Sequence, residues 1–304
     1  MSLAARLTHW FSGAARRRER PTAYILTAYH FNHLSRGAPI DPRLLARPDE
    51  TIFYFVEPEG VPAGFPAPAL AEVDVFPEIN EAGKQHLAEW SFLLSEYYRP
   101  FARYPFYTVS SRFYEKNERL PGALHDYSAD WFRLLRQFGY GYWPSYNRRL
   151  GFEDLREYFQ IGRLGMKQEG LDLLDRLYGV KFLAEYRWFS DFFCNYIGFQ
   201  SRARLEAYVE FYLPLIELFF DRQWRLIDDY EKYVRRRNVF RQEKPFTLLL
   251  ELASHLFFYV RDVPFFGLHY DGVYAVDERR AKLTLLGGLP EVARAEIEAP
   301  SRIP

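Results

Sequence analysis

Tyr104 to Asn117 reads YPFYTVSSRFYEKN, and this stretch decides the fold. Phe106 to Ser110 has the length and the β-branched and aromatic content of a buried strand. The run then meets small hydroxyl residues and a charged group: Arg112, Tyr114, Glu115, Lys116 and Asn117. In open α/β sheets, a buried strand that delivers polar side chains at its carboxyl end marks a ligand site. Arg112 and Lys116 suit a diphosphate, Arg as a bidentate donor and Lys as a point charge.

Working back, Tyr24 to Ala28 (YILTA) predicts a first strand. The polar loop HFNHLSRGAPIDP follows it, so Tyr29, His30, Asn32 and Arg36 fall where such sheets contact ligands. His30 and His33 are three apart, but no acid stands at metal-ligand spacing beside them. Thr51 to Val56 is a second strand. Val73 to Phe76 is a short third, and Asn80 to Tyr98 is a helix that stops before Pro100. Strand, loop, strand, helix argues for a parallel or mixed sheet with covering helices. Neither GxGxxG nor GxxxxGK[ST] is present, so dinucleotide and P-loop readings lack their fingerprints.

Working forward, Asp130 to Phe138 predicts a helix and 139–149 (GYGYWPSYNRR) a Gly- and Tyr-rich loop. That loop would offer Tyr140, Tyr142 and Trp143 as a sugar-stacking surface or a mobile lid. Phe152–Gly162 and Gly170–Tyr178 read as short helices, and Phe192 to Phe199 as an apolar strand. Arg204 to Phe220 carries a broad apolar stripe at helical spacing, with Pro214 expected to kink or divide it. Asp228 to Arg237 reads as an exposed charged segment. Phe246 to Val260 is a last apolar helix with Glu251 and His255 one turn apart. The chain after Arg261 reads as peripheral.

Composition bounds the function. The chain has 304 residues, with 40 Lys+Arg against 40 Asp+Glu, and so no global field for nucleic acid. Its one cysteine, Cys194, excludes an intramolecular disulfide and a Cys-based zinc cluster, which fits a reducing cytoplasm. Aromatic residues make up 19%, and Tyr pairs a flat apolar face with a hydroxyl, as sugar recognition requires. Residues 2–20 read as a basic amphipathic helix with Trp10 and Phe11 on one face. Such a helix can lie on an anionic membrane surface. Its charge follows its apolar part, which is not the order of a secretory signal, and no stretch is long enough to span a bilayer.

Three segments, taken in order, resemble a bacterial family of capsular- and surface-polysaccharide glycosyltransferase-like proteins placed near GT-A folds. They are YILTAYH, FYTVSSRFYEKN, and CNYIGFQSRARLEAYVEFYLPLIELFF followed by DDYEKYVRRRNVFRQEKPFTLLLE. The resemblance spans most of residues 22–260. It implies an α/β fold with a GT-A-like mixed sheet and covering helices in the N-terminal half, and a helix-rich C-terminal half. The implied organisation is an N-terminal helix (1–20), a single glycosyltransferase-like domain (21–260) and a peripheral C-terminal segment (261–304). It further implies a nucleotide-sugar donor and a glycan or lipid-linked glycan acceptor; with residues 2–20 as the membrane contact, the expected location is cytoplasmic, on the inner face of the cell membrane. By the family pattern Glu243 is the acid before the closing helix, and Asp191, ahead of Asn195, is a second candidate base. Arg112 and Lys116 would steady the diphosphate, with Tyr29, His30, Asn32 and Arg36 near the nucleotide. Tyr140, Tyr142, Trp143 and Asn195 would face the acceptor. Metal-dependent GT-A enzymes hold Mn²⁺ or Mg²⁺ with an Asp-x-Asp at a strand end, and no such motif follows a strand here. Cations from Arg and Lys, or acids converging from distant segments, would then replace it. The alternative reading is a non-catalytic glycan-binding or scaffold protein at the same membrane face.

Overall fold

The computed structural model describes residues 24–29, 41–45, 51–55, 69–71, 90, 92–94, 104–110, 113–116, 128–142, 153–154, 174–181, 187–188, 196–220, 245–269 and 272–287. The strands in chain order are β1 (Tyr24–Tyr29), β2 (Thr51–Phe55), β3 (Ala69–Ala71), β4 (Phe106–Ser110), β5 (Tyr140–Tyr142), β6 (Glu153–Asp154), β7 (Arg187–Trp188), β8 (Ile197–Phe199), β9 (Phe265–His269), β10 (Gly272–Asp277) and β11 (Lys282–Gly287). The helices are α1 (Phe113–Lys116), α2 (Ser128–Phe138), α3 (Arg202–Phe220) and α4 (Pro245–Arg261).

Nine strands form one mixed sheet in the order β11-β10-β9-β5-β8-β4-β1-β2-β3. β1, β2, β3 and β4 run parallel. β8 is reversed between β4 and β5, and β9 returns parallel to β5. The predicted strand at Phe106–Ser110 is β4, with all five residues buried. Burial on both faces explains why its sequence shows an unbroken run where a half-exposed strand would alternate.

The two faces of the sheet carry different layers. On one, Tyr107 packs on Trp131 and Phe132 of α2, at ring centroid distances of 5.1 and 5.5 Å. Gly141 and Gly198 stand opposite each other in the β5–β8 ladder beneath this helix. A Cβ at Gly198 would come within 3.0 Å of Leu135 and Trp131, so α2 sits close because that position lacks a side chain, while the bare Gly141 leaves room for the Phe266 ring of β9. Helix α2 ends at Gly139, whose φ of 85° lets its N–H reach back to the Leu135 carbonyl at 2.7 Å. On the other face lie α3, α4 and Trp90. Tyr140 packs on Phe257 and Phe258 of α4 at 5.4 and 5.5 Å. Residues 253–258 of α4 are buried all round, as a helix with both sides covered must be.

Several expectations are corrected. Residues 140–142 are a core strand and not part of a loop, because the neighbouring strands bury the Tyr rings that a loop would expose. Glu153 and Asp154 form a two-stranded sheet with Arg187 and Trp188, where a helix was expected. The described third strand is Ala69–Ala71; residues 73–76 lie outside the described residues. Pro214 does not divide α3, which runs as one helix. The proline lacks the N–H that would bond the Glu210 carbonyl one turn back, but the buried apolar residues Phe211, Tyr212, Leu215 and Ile216 on both sides of it hold the helix together. Residues 265–269 and 272–287 are not peripheral, since β9 to β11 extend the main sheet and Phe265, Phe266 and Val276 are in the core; residues 288–304 lie outside the described residues. Among the described residues, the C-terminal half holds strands β6 to β11 beside its two long helices, α3 and α4.

Candidate functional site

Strand order places the site. From β1 the chain steps outward to β2 and β3, then returns to lay β4 on the other side of β1. At such a reversal open α/β sheets bind ligands, in a crevice outside the carboxyl ends of the strands, which here are the ends of β1 and β4. Register brings those ends level, with Ala28 opposite Ser110. The antiparallel strand β8 brings its amino end to the same edge, and β5 its carboxyl end, since Tyr142 stands opposite Ile197. One rim thus collects the ends of β1, β4, β8 and β5.

The predicted residues map onto this rim unevenly. Tyr29 is the last residue of β1, and Lys116 the last of α1, six residues beyond Ser110. Arg112 lies in sequence between Ser110 and α1, Asn195 immediately precedes Tyr196, and Trp143 immediately follows Tyr142. These three, with His30, Asn32, Arg36, Asp191 and Glu243, lie outside the described residues. Tyr140 and Tyr142 are 1% and 0% exposed, so their rings belong to the core and not to an open stacking surface. Burial pushes the Tyr140 phenol up to about 12 against the opposing effect of Arg204. Its hydroxyl donates to the Arg204 carbonyl at 3.1 Å.

Three hydroxyl residues at the rim were not singled out by sequence. Thr108 Oγ1 donates to the Ile197 carbonyl at 3.3 Å and accepts from the Ile197 N–H at 3.4 Å. Ser110 Oγ and Tyr196 Oη are 2.8 Å apart and buried. The signal was present in Thr108 and Ser110, two hydroxyls on one face of an otherwise apolar central strand. A buried hydroxyl needs a partner, and Ile197 of β8 and Tyr196 just before it supply both.

A second group ties the β1–β2 connection to α1. Asp41 accepts from the Arg43 side chain at 2.7 and 3.0 Å, and the Arg43 guanidinium lies 3.6 Å from the Tyr114 ring centroid. The hydrogen bond from Arg43 holds the Asp41 carboxyl below the usual carboxylate range. Both side chains are partly exposed, so this link contributes little to stability by itself.

Deeper in the molecule are two buried polar groups. Tyr142, Tyr208, Tyr212 and Ser254 share hydrogen bonds of 2.8 to 3.1 Å between β5, α3 and α4. His255 Nδ1 lies 3.2 Å from Glu278 Oε1, both side chains fully buried, which joins α4 to the turn after β10. His255 thus contacts an acid from that turn, and the Glu251 side chain lies outside the described residues. Burial holds His255 well below its ordinary pKa and therefore neutral.

No group of three or more His, Cys, Asp or Glu suited to a metal ion occurs among the described residues. No helix among them is long and apolar enough to cross a membrane. No family model, curated protein or solved structure matches this chain.

Proposed function

We propose that this chain is a glycosyltransferase that moves a sugar from a nucleotide-activated donor to a hydroxyl of a surface glycan or its lipid-linked precursor. One observation carries the reading. The two segments read from sequence as donor contacts, the end of β1 and the end of β4, emerge side by side at the switch point of a mixed α/β sheet. The reversed strand β8 within an otherwise parallel centre agrees with a GT-A-like sheet.

In this reading Tyr29, His30, Asn32 and Arg36 line the nucleotide side. Arg112 and Lys116 stabilise the diphosphate as it leaves, where negative charge builds up in the transition state. A carboxylate, Glu243 or Asp191, takes the proton of the acceptor hydroxyl while its oxygen bonds to the sugar carbon and the carbon–phosphate-oxygen bond breaks. Trp143 and Asn195 continue the rim from β5 and β8 on the acceptor side. Residues 2–20 would hold the protein at an anionic membrane surface, on the inner face of the cell membrane. A Mn²⁺ or Mg²⁺ ion, where used, would need acids gathered from separate segments.

The test is thermal stability against UDP, GDP, CMP, dTDP and their sugar conjugates, with and without Mn²⁺. A nucleotide at one hundred times its dissociation constant adds about 2.7 kcal/mol, a readable shift. Stabilisation by one of them is the expected result and identifies the donor class. No shift with any of them at millimolar concentration would overturn the transferase and leave the glycan-binding scaffold.

A further inference from the structure

The ladder between β4 and β8 has two rungs, Phe106 to Phe199 and Tyr107 to Gly198, although β4 continues for three more residues. Over those residues β4 stays paired with β1, and β8 stays paired with β5 as far as Ile197. The β4–β8 ladder therefore ends short of the rim, while the flanking ladders continue toward it. Beyond the end of the ladder, side-chain hydroxyls join the two strands. The Thr108 hydroxyl takes both backbone groups of Ile197, the residue that would stand opposite it in a continued ladder. One step nearer the rim, the Ser110 and Tyr196 hydroxyls meet at 2.8 Å. The Phe113 ring of α1 packs edge-on against Tyr196 at 5.4 Å, so α1 follows the same pin.

We infer that Thr108, Ser110 and Tyr196 are positioning residues that set the spacing between the two lips of the ligand crevice. One lip is the β4 end leading to Arg112 and α1, and the other is the β8 end leading back to Asn195. This rests on the transferase reading of the site. A ladder rung would fix the strands at about 4.7 to 4.9 Å and close the sheet. A hydroxyl inserted between them holds them apart at a defined distance and satisfies the backbone groups that the split exposes. Because Ser110 and Tyr196 are buried, they act through the residues beside them and not by touching the ligand.

The experiment measures, by titration, the dissociation constant of whichever of UDP, GDP, CMP or dTDP stabilises the wild-type chain, and separately the unfolding midpoint without nucleotide. Thr108→Val keeps the shape and removes the hydroxyl, Thr108→Ser restores it, and Tyr196→Phe cuts the outer pin. The expected result is a loss of affinity of about fivefold to tenfold in Thr108→Val and in Tyr196→Phe, the scale of one hydrogen bond, with near wild-type affinity in Thr108→Ser. If Thr108→Val does not fold, Tyr196→Phe carries the test. Lowered midpoints with unchanged affinity would overturn the positioning role and leave the hydroxyls as structural pins. Failure of every nucleotide on the wild-type chain would overturn the transferase reading and this inference with it.

Discussion

Two hydroxyl clusters among the described residues are built from the same chemistry, one between a strand and two helices and the other between two strands. The inner one joins Tyr142, Tyr208, Tyr212 and Ser254, and the ring of Trp90 covers it, 5.3 Å from Tyr208 and 3.9 Å from Tyr212. The outer one joins Thr108, Ser110 and Tyr196 where the sheet parts. Inner hydroxyls bond chiefly to one another across three elements, so they lock β5, α3 and α4 into one arrangement. Outer hydroxyls bridge two strands whose backbones have stopped pairing. The first pattern makes a core unique, and the second makes a gap of fixed width. Burial is near complete in both, so depth alone does not separate structural from functional polar groups. The partner that each hydroxyl replaces does.

The largest effect should come from the inner cluster. Trp90→Ala removes a fully buried ring stacked on Tyr208 and packed against Tyr212, and its loss should cost about 3 to 5 kcal/mol, read by denaturant unfolding. Nucleotide affinity measured on the folded fraction should stay at wild-type level. A selective loss of affinity would erase the distinction between the clusters.

Tyr208→Phe is the next step down. Tyr208 is the shared node, contacting Tyr142, Tyr212 and Ser254. Its removal should cost about 1 to 3 kcal/mol, because its buried partners lose bonds they cannot recover from water. The tyrosine hydroxyls should not titrate below alkaline pH, since burial raises Tyr208 and Tyr212 well above the ordinary phenol value. An unchanged unfolding midpoint would show that the network rearranges freely and does not lock the core.

The buried His255–Glu278 pair gives the comparison a pH axis. Burial lowers the folded-state pKa of His255 well below 6.5, so below that pH the unfolded chain binds more protons than the folded one. Stability should therefore be full above about pH 6.5 and fall as the pH drops, at up to about 1.4 kcal/mol per pH unit from this one group. His255→Gln keeps a donor for Glu278 and should flatten the acid limb of stability against pH. Identical acid limbs in the two proteins would remove His255 as the source.

Legibility in the sequence followed the length and regularity of each element. β1, β4, α2, α3 and α4 were readable because each presents an apolar run or a helical stripe of sufficient length. The candidate rim was half readable. A strand ending in charge, as at Ser110 to Lys116, announces itself locally. The splay between β4 and β8 depends on residues 86 to 89 positions apart and has no local signature. Tyr140 and Tyr142 misled for a related reason: glycines 139 and 141 read as loop residues, yet Gly139 caps α2 and Gly141 makes room for Phe266. The β10–β11 hairpin hid itself because the position that turns the chain is not a glycine. Ala281 adopts a φ of 47°, a conformation that turns usually give to Gly or Asn.

That same residue supplies the smallest prediction and a control for the others. Ala281 closes the turn between β10 and β11, where its N–H reaches the Glu278 carbonyl at 3.3 Å. An alanine in the left-handed region bears a steric penalty of about 1 kcal/mol that glycine avoids, partly offset by the greater freedom of glycine in the unfolded chain. Ala281→Gly should therefore raise the unfolding free energy by a fraction of about 1 kcal/mol. The turn lies at the far side of the sheet from the β4–β8 split, with β5 and β9 between them. Nucleotide affinity should be unchanged, because a stability gain there does not alter the spacing of the two lips. A change in affinity on this substitution would mean that global stability, and not the local spacing set by Thr108 and Tyr196, governs binding. The affinity losses expected of the rim variants would then need to be re-read as losses of folded protein.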